Sequence, residues 1–288
     1  MGDWNNVTRE ELTERVVSAV LAELAASSLP SGAQLPAPRA AEVPWMNIAP
    51  GAPSSPAPRA AEAPPQAAGG RIGIGRSGAR LRTRDWLAFR ADHAAARDAA
   101  FLDVDPALLE SLALPATVTR CRDKDEFLTR PDLGRTFPDE SLAQIRAWNP
   151  KPCDALVYAA DGLSSRAVEA NLPDLLPMLR DGLTAQGLTM GQSFFVKYGR
   201  VAAMDAVAEA TGAKVVCVLL GERPGLGSPE SMSAYIAYGA KVGMPEAYRT
   251  VVSNIYCGGI PAVEAGAYLA ELIAVIHREQ ASGVNRKG

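Results

Sequence analysis

Gly73, Gly75 and Gly78 in "RIGIGRSGARLRTRDW" (71–86) have the G-x-G-x-x-G spacing that cradles a dinucleotide pyrophosphate. That chemistry needs a strand before the first glycine, a helix opening at the third and an acid about 20 residues on. Here "PPQAAGG" precedes the glycines and polar, basic "ARLRTR" follows them. Asp92 and Asp98, near the required offset, fall in a helical pattern instead of at a strand end. The context therefore reads as the exit of a Gly-rich linker. Other catalytic equipment is sparse. The two histidines, His93 and His277, lie in helical patterns, and the cysteines Cys121, Cys153, Cys217 and Cys257 are far apart with no C-x-x-C pair. Free thiols and no protein-built metal site are expected. No Walker lysine and no G-x-S-x-G elbow occurs.

The residues left for binding chemistry lie in four loops rich in glycine and small polar side chains. They are "DGLSS" (161–165), "YGRV" (198–201), "GERPGLGSPES" (221–231) and "SNIYCGGIP" (253–261). Each follows a β-rich apolar run. The runs are "ATVTRC" (116–121), "DALVYAA" (154–160), "SFFVKYG" (193–199), "KVVCVLL" (214–220) and "RTVVSNI" (249–255). Helical patterns alternate with them at 139–148, 165–186, 201–211, 228–241 and 261–281. Near-continuous apolar strands separated by helices predict an α/β fold with a mainly parallel, five-stranded, Rossmann-like sheet and helices on both faces. In such a sheet ligands bind beyond the carboxyl ends of the strands. Four loops on that edge make a broad, backbone-lined surface suited to a large ligand.

Ahead of this domain, assigned to 113–288, the chain divides into three parts. Residues 1–26 carry an amphipathic helix at 8–26, with a Thr8/Glu11 capping box and Leu12, Val16, Val17, Val20, Leu21 and Leu24 along one face. Residues 27–70 are rich in Pro and Ala, with "PAPRAAEVP" and "PAPRAAEAP" as a near-duplicate, and read as a disordered linker. Residues 71–112 form a small helical region, Thr83 being placed to cap a helix running to about Phe101. The 288 residues are 48% hydrophobic with a net charge of −3, so a core is within reach and no general attraction to nucleic acid or anionic membrane is expected. No window reaches the roughly 18 apolar residues of a membrane span, and the N-terminus has no secretory pattern.

The stretches "RSGARLRTRDWLAFRADHAAARDA", "FLTRPDLGR", "DGLSSRAV", "FFVKYGRV", "LLGERPGLGSPESMSAY", "RTVVSNI" and "GGIPAVEAGAYLAELI" resemble the small (light) subunit of ethanolamine ammonia-lyase. The resemblance spans 71–288, and "GERPGLGSPES" is its most distinctive run. It implies a larger barrel subunit as partner in a hetero-oligomer, with adenosylcobalamin held between the two chains. It also implies a cytoplasmic lyase in which the cobalt–carbon bond breaks homolytically and ethanolamine becomes acetaldehyde and ammonia. The catalytic groups would lie on the large subunit, so none is assigned here and no residue of this chain ligates the metal. The family's cobalamin contacts carry over to Val201 after "YGR", to Glu222 in "GERPG" and to Val251 in "RTVVSNI", where some relatives have Cys.

Alternatives remain beside the resemblance. Glu222 alone reads as a solvated turn acid, Arg200 and Arg223 as either surface charges or partners for the cofactor, and Asp161, Ser164 and Ser165 as a helix cap. Arg76, Arg80, Arg82 and Arg84 are a solvated basic face, or subunit contacts in an obligate complex. The N-terminal helix on its linker suits recruitment to an ethanolamine-utilisation microcompartment. A free-standing nucleotide-dependent oxidoreductase and a non-catalytic scaffold are the rival functions.

Overall fold

A computed structural model describes residues 74–286; the expected helix at 8–26, the linker and Gly73 lie outside the described residues. Chain order begins with β1 (Arg76–Ser77), β2 (Arg80–Leu81), α1 (Thr83–Phe101) and α2 (Pro106–Ser111). Then come β3 (Ala116–Val118), α3 (Lys124–Thr129), α4 (Asp139–Trp148), β4 (Ala155–Ala160) and α5 (Ser165–Ala185). The rest is β5 (Phe195–Lys197), α6 (Ala203–Thr211), β6 (Val215–Gly221), β7 (Met232–Tyr238), β8 (Thr250–Ile255) and α7 (Ala262–Glu279).

Six strands form one sheet in the order β3-β5-β4-β6-β7-β8. Neighbours from β3 to β6 are parallel, whereas β7 is antiparallel to both β6 and β8. This corrects the five-stranded, mainly parallel expectation: the sheet is mixed, and the predicted helix at 228–241 contains a strand. "MSAYIAY" is an apolar run short enough for a strand and bounded by Ser, Pro and Gly, and periodicity alone cannot separate that from a buried helix. Pairing with β6 along its whole length decides the matter, because it satisfies every backbone group on that side.

The core lies on both sides of the sheet. On one face Val157, Leu219 and Ile236 pack with Leu172, Leu176 and Leu179 of α5 and Leu269 and Ile273 of α7. On the other, Leu156, Tyr158 and Val218 pack with Ile145 of α4 and Met204 and Val207 of α6. The two sets alternate along β4 and β6, as the period of two in a strand requires. Ridges of small residues let α5 and α7 approach: a Cβ on Gly266 would meet the Leu175 carbonyl at 2.8 Å.

Gly75 and Gly78 flank and turn a short hairpin. Ser77 pairs with Arg80, and Gly78 turns the chain at φ +63, so a strand follows the third glycine where a fingerprint needs a helix. Beyond it, α1 has Arg82 at its N-cap with no side-chain cap, so Thr83 is the first helical residue and not the expected cap. Only Ala96 and Ala99 of α1 are buried, and Trp86, Leu87 and Phe101 are exposed.

Candidate functional site

Strands β3, β5, β4, β6 and β8 point the same way, so the loops after them share one edge, joined by the loop 222–231 that enters β7. Loops after β4 and β5 leave for opposite faces, α5 packing on one side and α6 on the other. This is the switch point at which open α/β sheets place ligands. Here Asp161, 1% exposed, accepts from the Gly199 N–H at 3.2 Å and lies 3.6 Å from Lys124 Nζ. The Lys124 ammonium stands over the rings of Phe127 and Tyr198 at 5.3 and 5.6 Å. Burial pushes the Asp161 carboxyl up to about 6, opposed by Lys124 and by the N–H groups of Gly199, Tyr198 and Gly162.

The turn that leads into Val201 is held on three sides. Tyr198 adopts φ +60, a strained conformation for a bulky residue, and its carbonyl accepts from Thr119 Oγ1 at 2.9 Å. Gly199 presses on Ala160, where a Cβ would come within 2.7 Å of the Ala160 Cβ. Arg200 donates from its backbone N–H to the Gly134 carbonyl and from Nη2 to the Phe127 carbonyl at 2.8 Å, with its guanidinium 4.3 Å over the Phe127 ring. Arg200 is therefore a clamp turned inward, and only Arg223 of the two open arginines is exposed.

The loop 222–231 is laced to the start of α5. Ser164 accepts from the Ala167 N–H as the helix N-cap and donates to the Pro229 carbonyl at 2.7 Å. Asn171 donates to the Glu230 carbonyl at 2.8 Å, and the Leu163 N–H to the Gly221 carbonyl. Of the three residues read as a cap, Ser164 alone has that role. Ser165 bonds the Ala99 carbonyl of α1 at 3.3 Å, and Asp161 bonds across to β5.

Glu222 and Val251 are brought together through a residue that the sequence reading did not single out. Tyr235 of β7 lies directly opposite Val251 of β8, and its O–H donates to Glu222 Oε1 at 2.8 Å. Burial and the Glu222 carboxylate hold the Tyr235 hydroxyl above its ordinary value. Val251 is 47% exposed beside this pair. Val201 packs on the same hydrophobic layer as Tyr235, below the α6 face of the sheet. Between Tyr235 and the edge, Ser253 and Asn254 bulge opposite Ser233, Asn254 at φ +62. Arg249, just before β8, is 4% exposed and grips Asp205 of α6 with two contacts at 2.8 and 2.9 Å, tying the segments that carry Val251 and Val201.

The histidines lie elsewhere. His93 is exposed on α1, and His277 is half-buried on α7 with its Nε2 3.2 Å from Asp154 at the opposite edge of the sheet. All four cysteines are free thiols, Cys257 exposed and the others buried.

These features define a class, an open α/β sheet protein with glycine-rich loops along one edge, and no cluster able to hold a metal ion occurs among the described residues. Comparison narrows it. The family profile of the ethanolamine ammonia-lyase light chain (EutC) matches residues 62–287, and the chain belongs to that family. Among similar proteins, the ethanolamine ammonia-lyase small subunit of Clostridium tetani is 55% identical over 217 residues, covering 75% of this chain and 74% of its own. Those of Clostridium perfringens and Listeria monocytogenes are 54% and 52% identical with the same coverage.

Proposed function

We propose that this chain is the cofactor-binding small subunit of an adenosylcobalamin-dependent ethanolamine ammonia-lyase, a lyase whose catalytic groups are carried by a large subunit. The observation that carries the reading is the meeting of Glu222, at the carboxyl end of β6, with Tyr235 and Val251 on the α6 face of the sheet. The corrin is a broad macrocycle fringed with amides and bearing a nucleotide tail. The residues present suit it. Glu222 Oε2 has no hydrogen-bond partner among the described residues and is an acceptor for an amide, while Val251 offers exposed apolar surface. Gly221 lets the edge lie flat, since a Cβ there would collide with the Asp161 and Ser164 carbonyls.

In this reading Val201, Glu222 and Val251 hold the cofactor, which supplies radical chemistry when bound, and this chain closes the site and excludes water. No catalytic residue is assigned to it. Residues 71–112 contact the large subunit. Trp86, Leu87, Phe101 and Leu102 are exposed along and just beyond α1, and Arg76, Arg80, Arg82 and Arg84 surround its start. Such a surface matches a subunit interface with an apolar centre and a charged rim. The complex of this chain with a large subunit is expected to bind cobalamin, and Glu222→Ala and Val201→Asp to weaken that binding. Equal affinity of the variants, measured by equilibrium dialysis, overturns the site assignment. Residues 1–26 recruit the enzyme to a microcompartment. Deletion of residues 1–70 is expected to abolish encapsulation, and unchanged encapsulation refutes that role.

A further inference from the structure

We propose that Glu222 and Tyr235 form an acceptor-only pair that selects a primary carboxamide over a carboxylate, and so reads whether a peripheral side chain of the bound corrinoid is amidated. The inference rests on the cofactor reading above. Tyr235 has one proton to give, and it is committed to Glu222 Oε1 at 2.8 Å. The hydroxyl oxygen then keeps only lone pairs, and Oε2 of the carboxylate is likewise an acceptor. The backbone N–H of Glu222 is spent on the Ser231 carbonyl. A second carboxylate, Glu246, adds negative potential at Tyr235. A ligand group seated here must donate.

The surroundings narrow the donor further. Val251 stands directly across from Tyr235 and is 47% exposed, so the donor arrives on an apolar frame. A primary amide supplies N–H groups without charge. The same side chain as a free acid brings a like charge and no donor, which costs both a charge-assisted bond and the repulsion.

The test uses the complex of this chain with its large subunit, and cyanocobalamin together with the isomeric monocarboxylic acids made by hydrolysing one peripheral propionamide. For the wild-type complex, one isomer is expected to bind about tenfold to a hundredfold more weakly than cyanocobalamin. Glu222→Gln, which keeps an acceptor and adds a donor, is expected to bring that isomer within a few-fold of cyanocobalamin. Tyr235→Phe is expected to retain the discrimination, because the charge remains. Wild-type affinity that is equal for all isomers, or tighter for an acid, as contact with Arg223 would give, overturns the proposal. So does discrimination that survives in Glu222→Gln. If Glu222→Ala leaves cyanocobalamin affinity itself unchanged, the cofactor reading fails together with it. Weakened cyanocobalamin binding without isomer discrimination sinks this proposal alone.

Discussion

Asp161→Asn separates the titration of the switch point from its packing. Burial raises the Asp161 carboxyl from 3.8 to about 6 in the folded chain. A shift of about two units corresponds to about 3 kcal/mol between the protonation states. Because the folded value lies above the unfolded one, the folded state holds the proton more tightly. The resulting stabilisation is complete below the unfolded value and is lost as the pH rises through about 6. Asparagine keeps the carbonyl that accepts from Gly199 but does not ionise. Urea unfolding of both chains at steps from pH 4 to pH 7 isolates the effect, since Lys124, Cys121, Glu126 and Arg200 are common to both. Relative to the variant, the wild type is expected to lose about 2 kcal/mol across that interval, because at pH 4 the unfolded carboxyl is already partly ionised. A constant difference between the two curves refutes the argument that this buried carboxylate opposes folding at neutral pH.

Other substitutions probe the supports of the edge. Gly221→Ala drives a methyl into the Asp161 and Ser164 carbonyls, and a loss of about 3 kcal/mol is expected in urea unfolding. Arg249→Met leaves the Asp205 carboxylate buried and unpaired, costing about 3 to 5 kcal/mol, and adding Asp205→Leu is expected to restore most of it. Tyr158 stacks on Phe194 at 5.1 Å, yet its buried hydroxyl has no partner. Tyr158→Phe is therefore expected to leave the Tm unchanged or raise it.

Strands whose both faces are covered were the most legible elements, because β4 and β6 are apolar at every position and need no alternation to announce them. Helix α4 coincides with its predicted span, 139–148, and the helical patterns later in the chain end within two residues of α5, α6 and α7, with β7 the exception. The β7 segment was missed because its small and aromatic residues suit either structure until a partner strand is present on each side. Its seven-residue length between turn residues was the available signal. Tyr235 was lost with it, since nothing marks a tyrosine as a bridge until β7 sets it against Val251. The Lys124–Asp161 and Asp205–Arg249 pairs join residues far apart in the chain, and no local spacing announces such contacts. Val201, Glu222 and Val251 came from family likeness, and their neighbourhood came from register.

Helix α1 has a consequence for the life of the chain outside any assembly. Its 19 residues bury two alanines, while Trp86, Leu87 and Phe101 face solvent. A helix with so little packing opens readily, and uncovered aromatic surface draws chaperones, proteases and self-association. If the proposed large subunit covers that helix, a copy made in excess of it is expected to turn over faster than a paired one, which a pulse-chase with and without that subunit measures.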